Sequence, residues 1–256
     1  SRNRLGSFAI IIGLVFCPSL WAANIYVSPS GTGDGLSTPN HASLQFALGY
    51  ASITAEDHTL FLEQGIYSAT AVGGFAATVV NNTTVKSITL SGGWTAGYIT
   101  QSTDPETTKL DGGTTTRVLD LLADGGTAPV NFHLEYMTIE NGYTLGGSGA
   151  GIQSDISTTN GGALNLYING CLIRNNASRW TTGNVGGHGG GLWATGYVEV
   201  SNTTFESNSS QYHGGGIIFT YRSPNTATTV AKVDNCIFLN NYNVGPGAPN
   251  GSAIAN

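Results

Sequence analysis

Two histidines, His188 and His213, each stand directly before three glycines. A pair of imidazoles on adjoining loops could ligate a metal or move protons. Glu140, Arg174 and Glu206 recur at one place in successive segments, and two carboxylates around a cation could serve acid/base work on a glycosidic bond. Trp180, Trp193, Tyr212 and Tyr221 lie in or beside the glycine-rich stretches, where exposed rings could stack on sugars. Each set also has a plainer explanation. The histidines are 25 residues apart, out of step with the repeat described below, and no carboxylate motif accompanies them. Strict Glu–Arg–Glu alternation is what a ladder of cross-strand ion pairs produces, each pair worth roughly 0.2–1 kcal/mol. The glycines do not form a phosphate loop, since no GxxxxGK[ST] pattern occurs. No metal site and no cofactor is expected.

The elements that must position these residues are repeats. FHLEYMTIENG (132–142), LYINGCLIRNN (166–176), VEVSNTTFESN (198–208) and AKVDNCIFLNN (231–241) stack without gaps. Ile139, Ile173, Phe205 and Phe238 recur at intervals of 34, 32 and 33 residues. Repetition at this length signals a solenoid, propeller or array. Within each segment apolar and polar residues alternate with the strand period. The inward columns are Phe132/Leu166/Val198/Ala231, Leu134/Ile168/Val200/Val233, Met137/Cys171/Thr203/Cys236 and Ile139/Ile173/Phe205/Phe238. GAGIQS (149–154), GGGLWA (189–194), GGGIIF (214–219) and GSAIAN (251–256) supply a third short strand. Three strands per turn with parallel stacking between turns define an all-β fold, a right-handed parallel β-helix. A propeller would need four antiparallel strands per blade. Asn suits tight corners, and Asn176, Asn208 and Asn241 are placed to form an amide ladder. Cys171 and Cys236 fall two coils apart, about 9.6 Å, too far for a disulfide, so buried free thiols are expected.

The amino-terminal third is less regular. SLQFALGYASI places Leu44, Ala47, Leu48 and Ala51 on one helical face. A short helix of this kind can cap the first coil of a solenoid. TLFLEQGIY (59–67), VKSITLSGGW (85–94) and TRVLDLLA (116–123) read as the first strands. Arg2 and Arg4, the apolar run Phe8 to Phe16 and Ala22-Ala23 have the order of a secretory signal peptide. Phe16 is too bulky for a lipobox ahead of Cys17, so simple secretion is favoured over lipidation. The expected organisation is a signal peptide over 1–23 and one β-helix over 24–256, irregular over 24–130 and regular over 131–256. GSAIAN breaks off mid-repeat, so a longer chain is expected.

Only 9% of the 256 residues are charged and the net charge is -6, which argues against a nucleic-acid backbone as partner. Neutral glycans and host or cell-surface proteins stay open as partners, and no integral membrane span is expected.

The opening IYVSPSG, helix and TLFLEQGIY resemble bacterial secreted pectin-lyase-like β-helix proteins. The later repeats resemble polymorphic outer membrane proteins, which pair F-x-x-N with G-G-A-[ILV]. FESN (205–208) and FLNN (238–241) match the first motif and GGAL (161–164) the second. GGGL, GGGI and GSAI are variants, and Ile173 replaces Phe in IRNN. These resemblances imply a bacterial, surface or secreted β-helix, and such a fold serves lyases, hydrolases and adhesins alike. Gly187-His188-Gly189 resembles the G-H-G of polygalacturonases, but the accompanying N-T-D, D-D and R-I-K motifs are absent. Arg222-Ser223-Pro224 resembles part of a pectate-lyase R-x-P-x-x-R motif, with Ala227 at the second Arg position. The expectation is therefore a non-catalytic, adhesin-like module that binds glycans or proteins. The alternative is a polysaccharide lyase or glycoside hydrolase, for which Glu140, Arg174, Glu206, His188 and His213 are the candidates. A purely structural spacer is the third option.

Overall fold

A computed structural model describes residues 23–181, 185–220, 230–245 and 251–255. The expected signal peptide lies outside these residues except for Ala23, which opens the first strand. The described chain is an all-β parallel β-helix with one α-helix. Sheet I contains Ala23–Val27, His58–Glu63, Lys86–Trp94, Val130–Glu135, Leu164–Asn169, Tyr197–Ser201 and Val230–Asp234. Sheet II contains Gly65–Ser68, Thr108–Asp111, Thr138–Glu140, Leu172–Arg174, Thr204–Glu206 and Ile237–Leu239. Sheet III contains Phe75–Asn82, Leu119–Gly126, Ile152–Ile156, Leu192–Ala194, Ile217–Phe219 and Ile254–Ala255. The chain runs from I to II to III and back, and each strand pairs in parallel with its counterparts on neighbouring coils.

The register is the one the repeats predict. Leu166 pairs with Phe132 and Val198, and Ile173 with Ile139 and Phe205. Ile152, Leu192, Ile217 and Ile254 share a column. Phe205 stacks on Phe238 at 5.1 Å and 7°. One departure is a fourth side in the later coils. Sheet IV contains Tyr143–Leu145, Ala177–Thr181, Ser209–Ser210 and Tyr242–Asn243, between sheets II and III. Strands as short as Ser209–Ser210 are too brief to show an alternation in sequence. TLFLEQGIY likewise divides between sheets I and II, at Gln64.

The asparagine ladder forms. Asn176 donates from Nδ2 to Asn208 Oδ1 (2.9 Å), and Asn208 from Nδ2 to Asn241 Oδ1 (3.0 Å). The same amides reach the backbone: Asn208 Nδ2 donates to the Ile173 carbonyl (2.8 Å), while its Oδ1 accepts from the Asn176 N–H (3.1 Å). The left-handed corner belongs to the preceding residue, namely Asn141, Asn175, Ser207 and Asn240, at φ of 57°, 55°, 53° and 53°. The ladder residues are thus chosen for their amides rather than for αL tolerance.

Cys171 and Cys236, the two cysteines among the described residues, are free. Cys171 is buried, and burial pushes its thiol up to about 12. Cys236, expected to be buried, is only partly so, because it lies on the outermost described coil.

The helix Leu44–Ile53 covers the amino-terminal end. Ser43 Oγ caps it by accepting from the Phe46 N–H, and Leu44, Ala47, Leu48 and Ala51 are buried as expected. Gln45 pairs with the first strand of sheet III, donating to the Ala76 carbonyl (3.0 Å) and accepting from its N–H (2.9 Å). Beneath the helix, buried Lys86 donates from Nζ to the Thr54 carbonyl, satisfying a helix C-terminus that has no basic residue in its own last turn. His58, also buried, contacts Thr54 Oγ1 through Nε2 (2.6 Å), and its Nδ1 has no hydrogen-bond partner. No helix among the described residues is long and apolar enough to cross a membrane.

Two outcomes follow. Asn208→Ala orphans a buried carbonyl and a buried N–H, each worth about 1–3 kcal/mol. Urea denaturation should show it clearly less stable than Asn241→Ala, whose residue is only partly buried. Burial, and then Lys86, hold the His58 pKa below its ordinary 6.5. Above that value His58 is neutral whether the chain is folded or unfolded. As pH falls below it, the unfolded chain takes up a proton that the folded chain refuses, so stability declines. Denaturation at stepped pH should show this slope reduced in His58→Gln.

Candidate functional site

The glycine-rich corners between sheets IV and III gather the candidate rings. Gly189 and Gly214 adopt φ of 57° and 62°, and a Cβ on Gly189 would lie 2.4 Å from the Leu192 carbonyl oxygen. At Gly191 a Cβ would meet the Gly216 carbonyl of the next coil at 2.6 Å. The glycines therefore allow a left-handed corner and close contact between coils. The residue before each left-handed glycine is His188 or His213, and the Gly189 N–H donates to the His213 carbonyl (2.9 Å), so the two corners stack.

A 25-residue spacing is out of step with the repeat, and the corners stack all the same. The difference lies in the loop before His188. Twelve residues separate Asn176 from His188 and five separate Asn208 from His213; the seven-residue excess, 12 − 5, accounts for the gap between 32 and 25. The described residues on the two sides of this excursion pair antiparallel, Trp180 with Gly186 and Thr181 with Val185. The excursion leaves the stack and returns in register, carrying Trp180 outward.

Four rings come together as a result. His188 and His213 are stacked, with centroids 5.3 Å apart and planes at 28°. Tyr212 meets His213 at 4.1 Å and His188 at 5.2 Å, edge-on to both, and Trp180 at 5.7 Å. Gln211 anchors the excursion by accepting from the Trp180 N–H through Oε1 (3.1 Å). Tyr212 is 40% exposed and forms the outer surface of the cluster. His188 Nδ1 is buried with no hydrogen-bond partner. Burial, and then the neighbouring His213, hold the His188 pKa below 6.5, and burial lowers that of His213. At neutral pH the pair is uncharged.

Comparison with protein-family models, curated proteins and solved structures finds no match to this chain. Function must be argued from the residues themselves.

The other candidates lie elsewhere. Trp193 is 7% exposed and packs with Ile218 and Ala255 on the outside of sheet III, so it offers no open ring. Tyr221, like Arg222 and Pro224, lies outside the described residues. Glu140, Arg174 and Glu206 do share a column of sheet II. Arg174 is held by Glu140 (2.7 Å) and by both oxygens of Glu106 (2.5 and 3.1 Å), and Glu106 also pairs with Lys109 (2.7 Å). Lys109 and then Arg174 hold Glu106 below the usual carboxylate range. This is a mutually neutralised ion network that Glu206, expected as the third rung, does not enter; Glu106 joins it instead from a single 3₁₀ turn, Pro105–Thr107, outside the repeats. Among the described residues no group of three or more His, Cys, Asp or Glu side chains could hold a metal.

Sequence reasoning missed a second ring series on the outside of sheet I. His133 stacks on Tyr167 at 4.6 Å and 7°, and Tyr167 lies 5.6 Å from Tyr197. The signal was partly available: His133 and Tyr167 occupy outward positions of aligned segments, and Tyr197 directly precedes the next one.

Because His213 is the second cause of the depressed His188 pKa, His213→Ala should raise it. An NMR pH titration of the His188 ring protons checks this; a downward movement would contradict the stacked arrangement.

Proposed function

We propose that this chain is a secreted or cell-surface β-helix that binds glycans without turning them over, as an adhesin-like module does. The observation that carries this reading is the four-ring cluster with Tyr212 outermost. Its residues come from two successive corners and one excursion, all held by the rigid stack, which is how binding loops are commonly positioned. The surface is aromatic, uncharged at neutral pH and bordered by amides, a chemistry suited to the apolar face and hydroxyl rim of a sugar. The basic, apolar and small-residue order of the first 23 residues supports export. The FxxN and GGA[ILV]-like repeats support kinship with bacterial surface proteins of the polymorphic outer membrane type. The internal neutralisation of Arg174, Glu140 and Glu106 supports binding over turnover, because a catalytic carboxylate has to be available to a substrate.

The test is a glycan array of neutral, acidic and amino oligosaccharides, followed by titration calorimetry on the best ligand with wild type, Trp180→Ala and Tyr212→Ala. Tyr212→Ala should weaken binding about tenfold, equivalent to about 1.4 kcal/mol, with an unchanged thermal midpoint. Turnover of an arrayed glycan, or wild-type affinity in both variants, would overturn the reading.

A further inference from the structure

The outer face of sheet I carries a groove of about 220 Å³ that the ring cluster does not reach. His133, Tyr167 and Glu199 form one outward column in it, on successive coils. Glu135, Asn169 and Ser201 form the next, two residues along each strand and so on the same face. The groove is smaller than the roughly 300–1,000 Å³ of pockets for drug-sized ligands, a size suited to a single monosaccharide unit.

The rings and polar groups of the groove differ in what they have left to offer. His133 and Tyr167 cover each other face to face, so the two faces turned toward each other are closed to a sugar. Glu199 is already held by Lys232 (2.6 Å) and the Tyr197 hydroxyl (2.9 Å). Asn169 Oδ1 accepts from Ser201 Oγ (3.0 Å) and Asn202 Nδ2 (2.8 Å). Glu135 is different. Burial alone pushes its carboxyl above the usual range, with no neighbouring cation to offset the cost. Burial likewise keeps neighbouring His133 below its ordinary pKa, so that ring supplies no positive charge at neutral pH. A half-buried carboxylate at the wall of an open groove is satisfied by a ligand that brings both a positive charge and N–H donors. An acidic sugar would meet Glu135, Glu199 and a net charge of -6. A neutral one would leave Glu135 without a counter-ion.

We propose that this groove binds an amino sugar, with its protonated amine against Glu135 and its hydroxyls toward Asn169 and Ser201. The proposal does not depend on the ring cluster, which lies on another side of the coil.

The test is titration calorimetry of the whole chain with a short glucosamine oligomer, its fully N-acetylated counterpart and spermidine as a sugar-free amine. The glucosamine oligomer should bind at least tenfold more tightly than either comparator. Glu135→Gln, close to isosteric, should lose at least tenfold for the glucosamine oligomer, and Asp34→Asn, at an exposed carboxylate outside the groove, should bind it as wild type does. If Glu135→Gln fails to fold, Glu135→Asp keeps the charge on a shorter arm, and its affinity should fall while the preference for the free amine persists. Equal affinity for the acetylated oligomer, equal affinity for spermidine, an unaffected Glu135→Gln, an equal loss in Asp34→Asn, or no binding of the glucosamine oligomer would each overturn the proposal.

Discussion

Register between coils is the constraint on which everything else rests. A parallel ladder alone specifies it weakly, because a slip of two residues keeps the same faces in and out. Buried Asn176 and Asn208, with the partly buried Asn241, remove that freedom. Each amide that has a coil on either side answers both, and a slip would leave several buried polar groups unpaired. The left-handed residue just before each ladder position turns the chain so that the amide faces inward. Gly142 holds the equivalent place in the first regular coil, and its N–H donates to Asn176 Oδ1 (2.7 Å). The ladder thus begins on backbone and continues on side chains.

With register fixed at the corner, what happens between corners matters little to the stack. The excursion between Asn176 and His188 adds seven residues, 12 against 5, without disturbing either neighbouring coil. The His188 and His213 corners therefore meet although their sequence spacing is wrong for the repeat. The same tolerance lets the excursion carry Trp180 out to Tyr212. The parts of this chain that face outward are built by departures from the repeat, and the repeat supplies the platform.

This explains which features were legible in the sequence. Inward columns were, because burial imposes a period of two on every strand and the aligned segments share it. The Asn ladder was, because it recurs at the same phase. The stacked histidines were not, since spacing counts residues and the structure counts coils. Sheet IV was not, since Ser209–Ser210 has too few residues for a pattern. The ion network was half legible: Glu140 and Arg174 lie in the alignment, whereas Glu106 arrives from an irregular turn that no repeat predicts. The sheet I groove was overlooked for a different reason. Its residues all lie in aligned segments, but alternation marks them only as outward, and the half-burial of Glu135 depends on neighbouring coils.

A chain with so few charges makes each one informative, and the useful distinction is between charges that are answered and charges that are not. Arg174, Glu140, Glu106 and Lys109 answer one another, as do Glu199 and Lys232. Lys86 is buried yet answered by the Thr54 carbonyl, and it closes the end of the capping helix. Such groups hold structure together and have little left for a ligand. Glu135 is half-buried with no neighbouring cation to offset the cost, unlike the paired charges of these networks. The same logic separates the rings. Phe205 on Phe238 and His133 on Tyr167 are covered face to face and stiffen the stack. Tyr212 meets its imidazole neighbours edge-on and stays open to solvent. In a solenoid whose every coil repeats the same internal solution, the groups left without an internal answer are where binding chemistry is to be sought.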